Sequence, residues 1–156
     1  MVAEYVDVKH GPKEAAYPHP VMKQVLEETY GVMVYQEQVM RILNLLGGIE
    51  LSQAYACIKA ISKKKTDVIA TGRKQFIEGA VSRGLEKPQA EKIFDLIEHF
   101  GGYGFNKSHT TAYAVVRFQT AWLKAQYPTE FMAPLRSSEM AGAERVITGA
   151  LEQARG

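Results

Sequence analysis

Glycine and proline cut this chain into short pieces, and that punctuation constrains its fold more than any other feature. Gly11-Pro12, Pro18-His19-Pro20, Tyr30-Gly31, Gly47-Gly48, Gly84, Lys87-Pro88, Gly101-Gly102 and Tyr127-Pro128 separate stretches patterned for helix. Within those stretches apolar residues recur three and four apart, the period of one helix face. The expected architecture is therefore all-α, a multi-helix domain, and 156 residues suffice for one domain with one core.

Residues before His10 form a short helix or an extended arm in this reading. Val21 to Thr29 is a short helix ended by Tyr30-Gly31, and Val32-Met33-Val34-Tyr35 is a short extended or buried piece. The next helix runs from Gln36 to Leu46, with Val39, Ile42, Leu43 and Leu46 on one face and Gly47-Gly48 as its stop. Ser52 is expected to cap a helix carrying Tyr55, Ile58 and Ile61. Thr66 is expected to cap a longer one whose inner face holds Ile69, Phe76, Ile77, Ala80 and Val81. Lys87-Pro88 opens a helix with Ile93, Phe94 and Ile97 inside. A helix from His109 to Gln126 follows a Ser108 cap. Pro134 kinks or shortens a further one, and a last helix spans Ala143 to Ala154. Ile42, Ile93, Phe94, Ile97 and Trp122 are expected in one core.

Charge and cysteine content narrow the functional classes. A formal charge of +2 is too small to diagnose a nucleic-acid binder, so only local clustering can argue for one. Cys57 is the only cysteine, which excludes a disulfide framework and a cysteine zinc site within one chain and fits a reducing cytoplasm. The apolar runs are too short to span a bilayer, so no membrane partner is expected. His10, His19, His99 and His109 lack metal-ligand spacing, and no nucleophile, base and orienter form a set.

Two basic clusters remain as candidates for chemistry. In Gly101-Gly102-Tyr103-Gly104-Phe105-Asn106-Lys107-Ser108-His109, glycines alternate with aromatics before a polar group that opens a helix. A helix N-terminus with free N–H groups suits a phosphate or another anion, and Lys107 and His109 add charge and donors. Lys59 with Lys63-Lys64-Lys65 precedes another helix start. The competing reading makes these lysines a solvated linker. Neither cluster has the spacing of a Walker loop. Glu37 reads as a first-turn acid, Tyr35 as a half-buried core tyrosine, and Cys57 as a small buried hydrophobe.

Longer motifs carry a resemblance. Tyr17-Pro18-His19-Pro20, the run from Glu28 to Met40, Phe100 through His109, Tyr113 to Met132 and Ser137-Ser138-Glu139-Met140 resemble the alpha subunit of bacterial DNA polymerase III, a C-family polymerase. The resemblance covers essentially the whole chain and implies a single helical fingers domain over residues 1–156. The palm, thumb, N-terminal phosphoesterase-like and C-terminal domains lie outside this stretch. It implies a module that positions the incoming deoxynucleoside triphosphate and the DNA primer–template, with other replisome subunits as partners of the parent protein in the bacterial cytoplasm. The parent's Mg2+ would be held by palm aspartates, so the resemblance assigns no catalytic residue, no metal and no primer extension to this stretch alone. The expected nucleotide- or phosphate-binding residues are Lys59, Lys63, Lys64, Asn106, Lys107, Ser108 and His109. Where the family usually has two adjacent arginines followed by A-x-G-K-K, this chain reads Ile58-Lys59-Ala60-Ile61-Ser62-Lys63-Lys64. The alternative is a non-catalytic DNA-binding or adaptor helical domain.

Overall fold

The computed structural model describes residues 2–101 and 103–138. These form eight α-helices: α1 (Val2–Lys9), α2 (Pro20–Leu26), α3 (Gln36–Gly47), α4 (Leu51–Ser62), α5 (Thr66–Ser82), α6 (Lys87–Phe100), α7 (Lys107–Gln126) and α8 (Pro128–Ser138). A 3-10 turn, Glu27–Thr29, continues α2. The all-α expectation holds among the described residues. The helix expected over 143–154 lies outside them.

The chain divides into two compact units, residues 1–107 and 108–156. In the first, α3 packs against α2, α4 and α5, and α5 packs against α6. Its core contains Met22, Leu26, Val39, Ile42, Leu43, Ile58, Phe76, Ile93, Phe94 and Ile97, each no more than 3 % exposed. The Phe76 and Phe94 rings meet at 5.6 Å between centroids, joining α5 to α6. Arg73 packs over the Phe94 ring and pairs with Asp95 and Glu98, so one arginine closes the outer edge of that junction.

A buried polar network ties the entry of α3 to α2. The Gln38 Oε1 accepts the backbone N–H groups of Val34 (2.9 Å) and Tyr35 (3.0 Å). Its Nε2 donates to Thr29 Oγ1 (2.8 Å), whose hydroxyl meets the carbonyl of Val32 at 2.7 Å. Gln38 is 3 % and Thr29 4 % exposed, and burial at that depth requires such partners. Together with the left-handed Tyr30 (φ 55°) and Gly31 (φ 84°), the network turns the chain from α2 into α3.

In the second unit, α7 ends at Gln126 and Pro128 opens α8, as the break at Tyr127-Pro128 predicts. The Trp122 and Tyr127 rings stand edge to face at 5.9 Å, and Met132 is buried. Pro134 lies inside α8 and does not end it.

Several local expectations change. Helix α4 starts at Leu51 after Glu50, so Ser52 sits inside it. Helix α5 starts at Thr66 itself after Lys65, and no side chain caps it. Helix α7 starts at Lys107, which puts Ser108 in its first turn. Val81 and Tyr55 face solvent. Trp122, expected in the core with Phe94, is 49 % exposed and belongs to the second unit.

Candidate functional site

The glycine-rich stretch pairs with the segment that enters α3. Tyr35 and Phe105 form an isolated parallel bridge. Phe105 N–H donates to the Val34 carbonyl (3.1 Å), and Gln36 N–H to the Phe105 carbonyl (2.8 Å). The Gln36 side chain adds a bond to the Gly104 carbonyl at 3.1 Å. The Gln36 and Gly104 partners lie 68 residues apart in the sequence, yet these bonds hold the two segments side by side.

Lys107 follows this pairing and starts α7. Its N–H donates to both Glu37 carboxylate oxygens, at 3.1 and 3.0 Å. Its ammonium donates to Glu28 at 2.6 and 2.7 Å and stands 5.4 Å from the Tyr35 ring centre. A carboxylate at a helix N-terminus is favourable for the same reason that a phosphate would be. Two acids of this chain therefore occupy the anion-binding capacity that the sequence offers at Lys107.

The other basic cluster forms the end of α4. Lys63 is its C-cap, and Lys64 adopts the left-handed conformation at φ 54°. Lys64 N–H donates to the Ile61 carbonyl (3.0 Å) and Lys65 N–H to the Ala60 carbonyl (2.9 Å). This pair of bonds is the Schellman motif, which usually places glycine where Lys64 stands. The Lys59 ammonium lies 4.4 Å from the Tyr55 ring centre. Among the described residues no ion pair holds Lys59, Lys63, Lys64 or Lys65.

One hydrogen bond joins this turn to the glycine-rich stretch. Ser62 Oγ donates to the Gly101 carbonyl at 2.6 Å. A Cβ on Gly101 would stand 2.5 Å from Ile61 Cγ2, so the approach of the two segments needs glycine there. Lys63 and Lys64 thus stand in the turn whose Ser62 holds Gly101, with Lys59 one helical turn back in α4, whereas Lys107 is held by Glu37 and Glu28. Asn106 is exposed in the loop before α7. Ser108 and His109 belong to the second unit, where the His109 ring lies 4.6 Å from that of Tyr113.

The acids that engage Lys107 were present in the sequence motif from Glu28 to Met40, but nothing in local periodicity pairs them with it. Ser62 was visible only as a departure from the family pattern. Cys57 is buried, and burial followed by the charge of Glu98 pushes its thiol pKa up, which keeps it protonated and unreactive.

Comparison with known proteins gives this geometry its context. Residues 1–84 match the family model described as the bacterial DNA polymerase III alpha subunit finger domain. The chain belongs to that family. The finger-domain chain is 48 % identical over 155 residues to DNA polymerase III subunit alpha of Xylella fastidiosa (strain 9a5c), covering 99 % of this chain. It is 49 % identical over 152 residues to DNA polymerase III subunit alpha of Escherichia coli (strain K12) and 47 % identical to that of Vibrio cholerae, covering 94 % of this chain in each case. It spans about 13 % of the length of these relatives. No helix among the described residues of the finger-domain chain is long and apolar enough to cross a membrane.

Proposed function

We propose that this chain serves as the fingers of a DNA-directed DNA polymerase of the bacterial cytoplasm, holding the incoming deoxynucleoside triphosphate and the primer–template within a larger replisome protein. The supporting observation is the bond from Ser62 to Gly101, which joins the lysine turn of α4 to the glycine-rich stretch. Lys59, Lys63 and Lys64 carry the main attraction for phosphate in this reading, because no carboxylate among the described residues is paired with them. Lys107 contributes by sharing or exchanging Glu28, and Asn106, Ser108 and His109 add hydrogen-bond donors. Among the described residues no three His, Cys, Asp or Glu side chains converge as metal ligands. In this reading Mg2+ belongs to the palm, outside this chain, and these residues supply charge and orientation only.

The test is amide chemical-shift mapping of the 156-residue chain during titration with a deoxynucleoside triphosphate, then with primer–template DNA, at low salt. Shifts centred on 59–65 and 103–109 are expected, and Lys63→Ala with Lys64→Ala should weaken binding. The chain alone, given Mg2+ and four triphosphates, should not extend a primer. Binding of DNA with no response to triphosphate favours the adaptor reading. No shifts at millimolar ligand would leave the chain a scaffold.

A further inference from the structure

Helix α4 carries an exposed stripe whose apolar end, Leu51 and Tyr55, has no part in the triphosphate role. Leu51, Tyr55, Lys59 and Lys63 follow one another at steps of four, so the stripe winds slowly round the helix from an apolar end to a cationic end. Leu51 is 50 % and Tyr55 42 % exposed. The aromatic ring already carries the Lys59 ammonium 4.4 Å from its centre. The core side of the same helix is filled by Ala54, Cys57, Ile58 and Ile61, so Tyr55 is not needed to bury it. An accessible ring beside unpaired cations on a rigid helix has the two parts of a single-strand contact: a stacking surface for a base and positive charge for the backbone.

We infer that Tyr55 is a nucleobase-stacking residue, and that an unpaired base of single-stranded DNA rests on its ring while Lys59 and Lys63 follow the adjoining phosphates. Charge complementarity selects this occupant: Lys59 and Lys63 lie on the stripe, Lys64 and Lys65 follow directly, and none has an acidic partner among the described residues. The inference rests on the reading of the chain as a polymerase fingers module and adds the unpaired strand as a ligand of α4.

The two kinds of contact respond differently to salt. A lysine that neutralises a phosphate contributes about 0.7 to the slope of log K against log salt on single strands, whereas stacking contributes nothing to that slope. The experiment measures fluorescence anisotropy of labelled oligo-dT with the 156-residue chain across a salt series. Tyr55→Ala is expected to weaken binding roughly 5- to 100-fold with an unchanged slope, and Tyr55→Phe to restore it. Lys59→Ala is expected to lower the slope. Circular dichroism of each variant checks that α4 is intact. Wild-type binding that Tyr55→Ala leaves unaltered overturns the inference alone. A Tyr55→Ala slope reduced like that of Lys59→Ala also overturns it, by showing that the ring merely steadies the lysine. No binding by the wild-type chain at low salt overturns the fingers reading and the inference together.

Discussion

Gly79 in α5 lies directly against the Gly47 carbonyl at the end of α3, so closely that a Cβ on Gly79 would overlap that oxygen. An alanine in place of a mid-helix glycine normally stabilises by about 0.5–1 kcal/mol. Here α3 and α5 would have to separate, and overpacking of this kind costs about 1–3 kcal/mol. Gly79→Ala is therefore expected to lower the urea midpoint with an unchanged m-value. A raised midpoint would show that the two helices do not cross at these residues.

Gln38 should be worth more than a surface glutamine. Its truncation leaves the Val34 and Tyr35 N–H groups without their acceptor, while the Thr29 oxygen loses one donor and its hydroxyl keeps the Val32 carbonyl. Each buried polar group left unsatisfied costs about 1–3 kcal/mol, so Gln38→Ala is expected to destabilise by at least about 2 kcal/mol. A double-mutant cycle with Thr29→Val should give a clear coupling energy, because the two side chains share one bond. Additive effects would contradict the network.

Lys64 separates stability from binding. Its φ of 54° suits glycine, and a non-glycine residue in this region costs about 1–2 kcal/mol. Lys64→Gly is expected to raise the melting temperature while weakening triphosphate or DNA binding. A gain in stability with full binding would remove Lys64 from the phosphate-binding set and leave the turn as a helix stop.

The Cys57 thiol should make stability sensitive to alkali. Burial, with the charge of Glu98, raises its folded pKa above the ordinary 9.0, so the folded state holds the proton more tightly than the unfolded chain. Its contribution is complete below the unfolded value and is lost as pH rises through the folded one. Urea titrations above pH 9.0 should show a steeper loss in the wild type than in Cys57→Ala, whatever the offset caused by the smaller side chain. Equal slopes would mean that Cys57 does not stay protonated on folding.

The helices were legible because their evidence is local. Val39, Ile42, Leu43 and Leu46 fall on one face of α3 by spacing alone, and all four are buried. Glycine at 48 and proline at 88 also mark ends that any fold would respect. Helix starts were harder to read. Ser52, Thr66 and Ser108 are the residue types that cap, but α7 takes a carboxylate from Glu37, 70 residues away. Trp122 shows the opposite limit, since apolar spacing within α7 does not reveal that the residue remains half exposed. The candidate site was legible as residue types and not as pairings. Nothing in the neighbourhood of Lys107 announces Glu28, and nothing near Ser62 announces Gly101.

The Tyr35–Phe105 bridge closes a circuit that begins before α3 and ends after α6. Helices inside such a circuit can assemble from near-neighbour contacts, whereas the bridge requires both ends of the segment to be in place. Its bonds should therefore be among the last made during folding and the first opened by native fluctuations. Amide hydrogen exchange should find the Gln36 and Phe105 N–H groups less protected than the middle of α3. On that view the glycine-rich stretch behaves as a clasp: it can release and refasten while the helices it encircles stay folded.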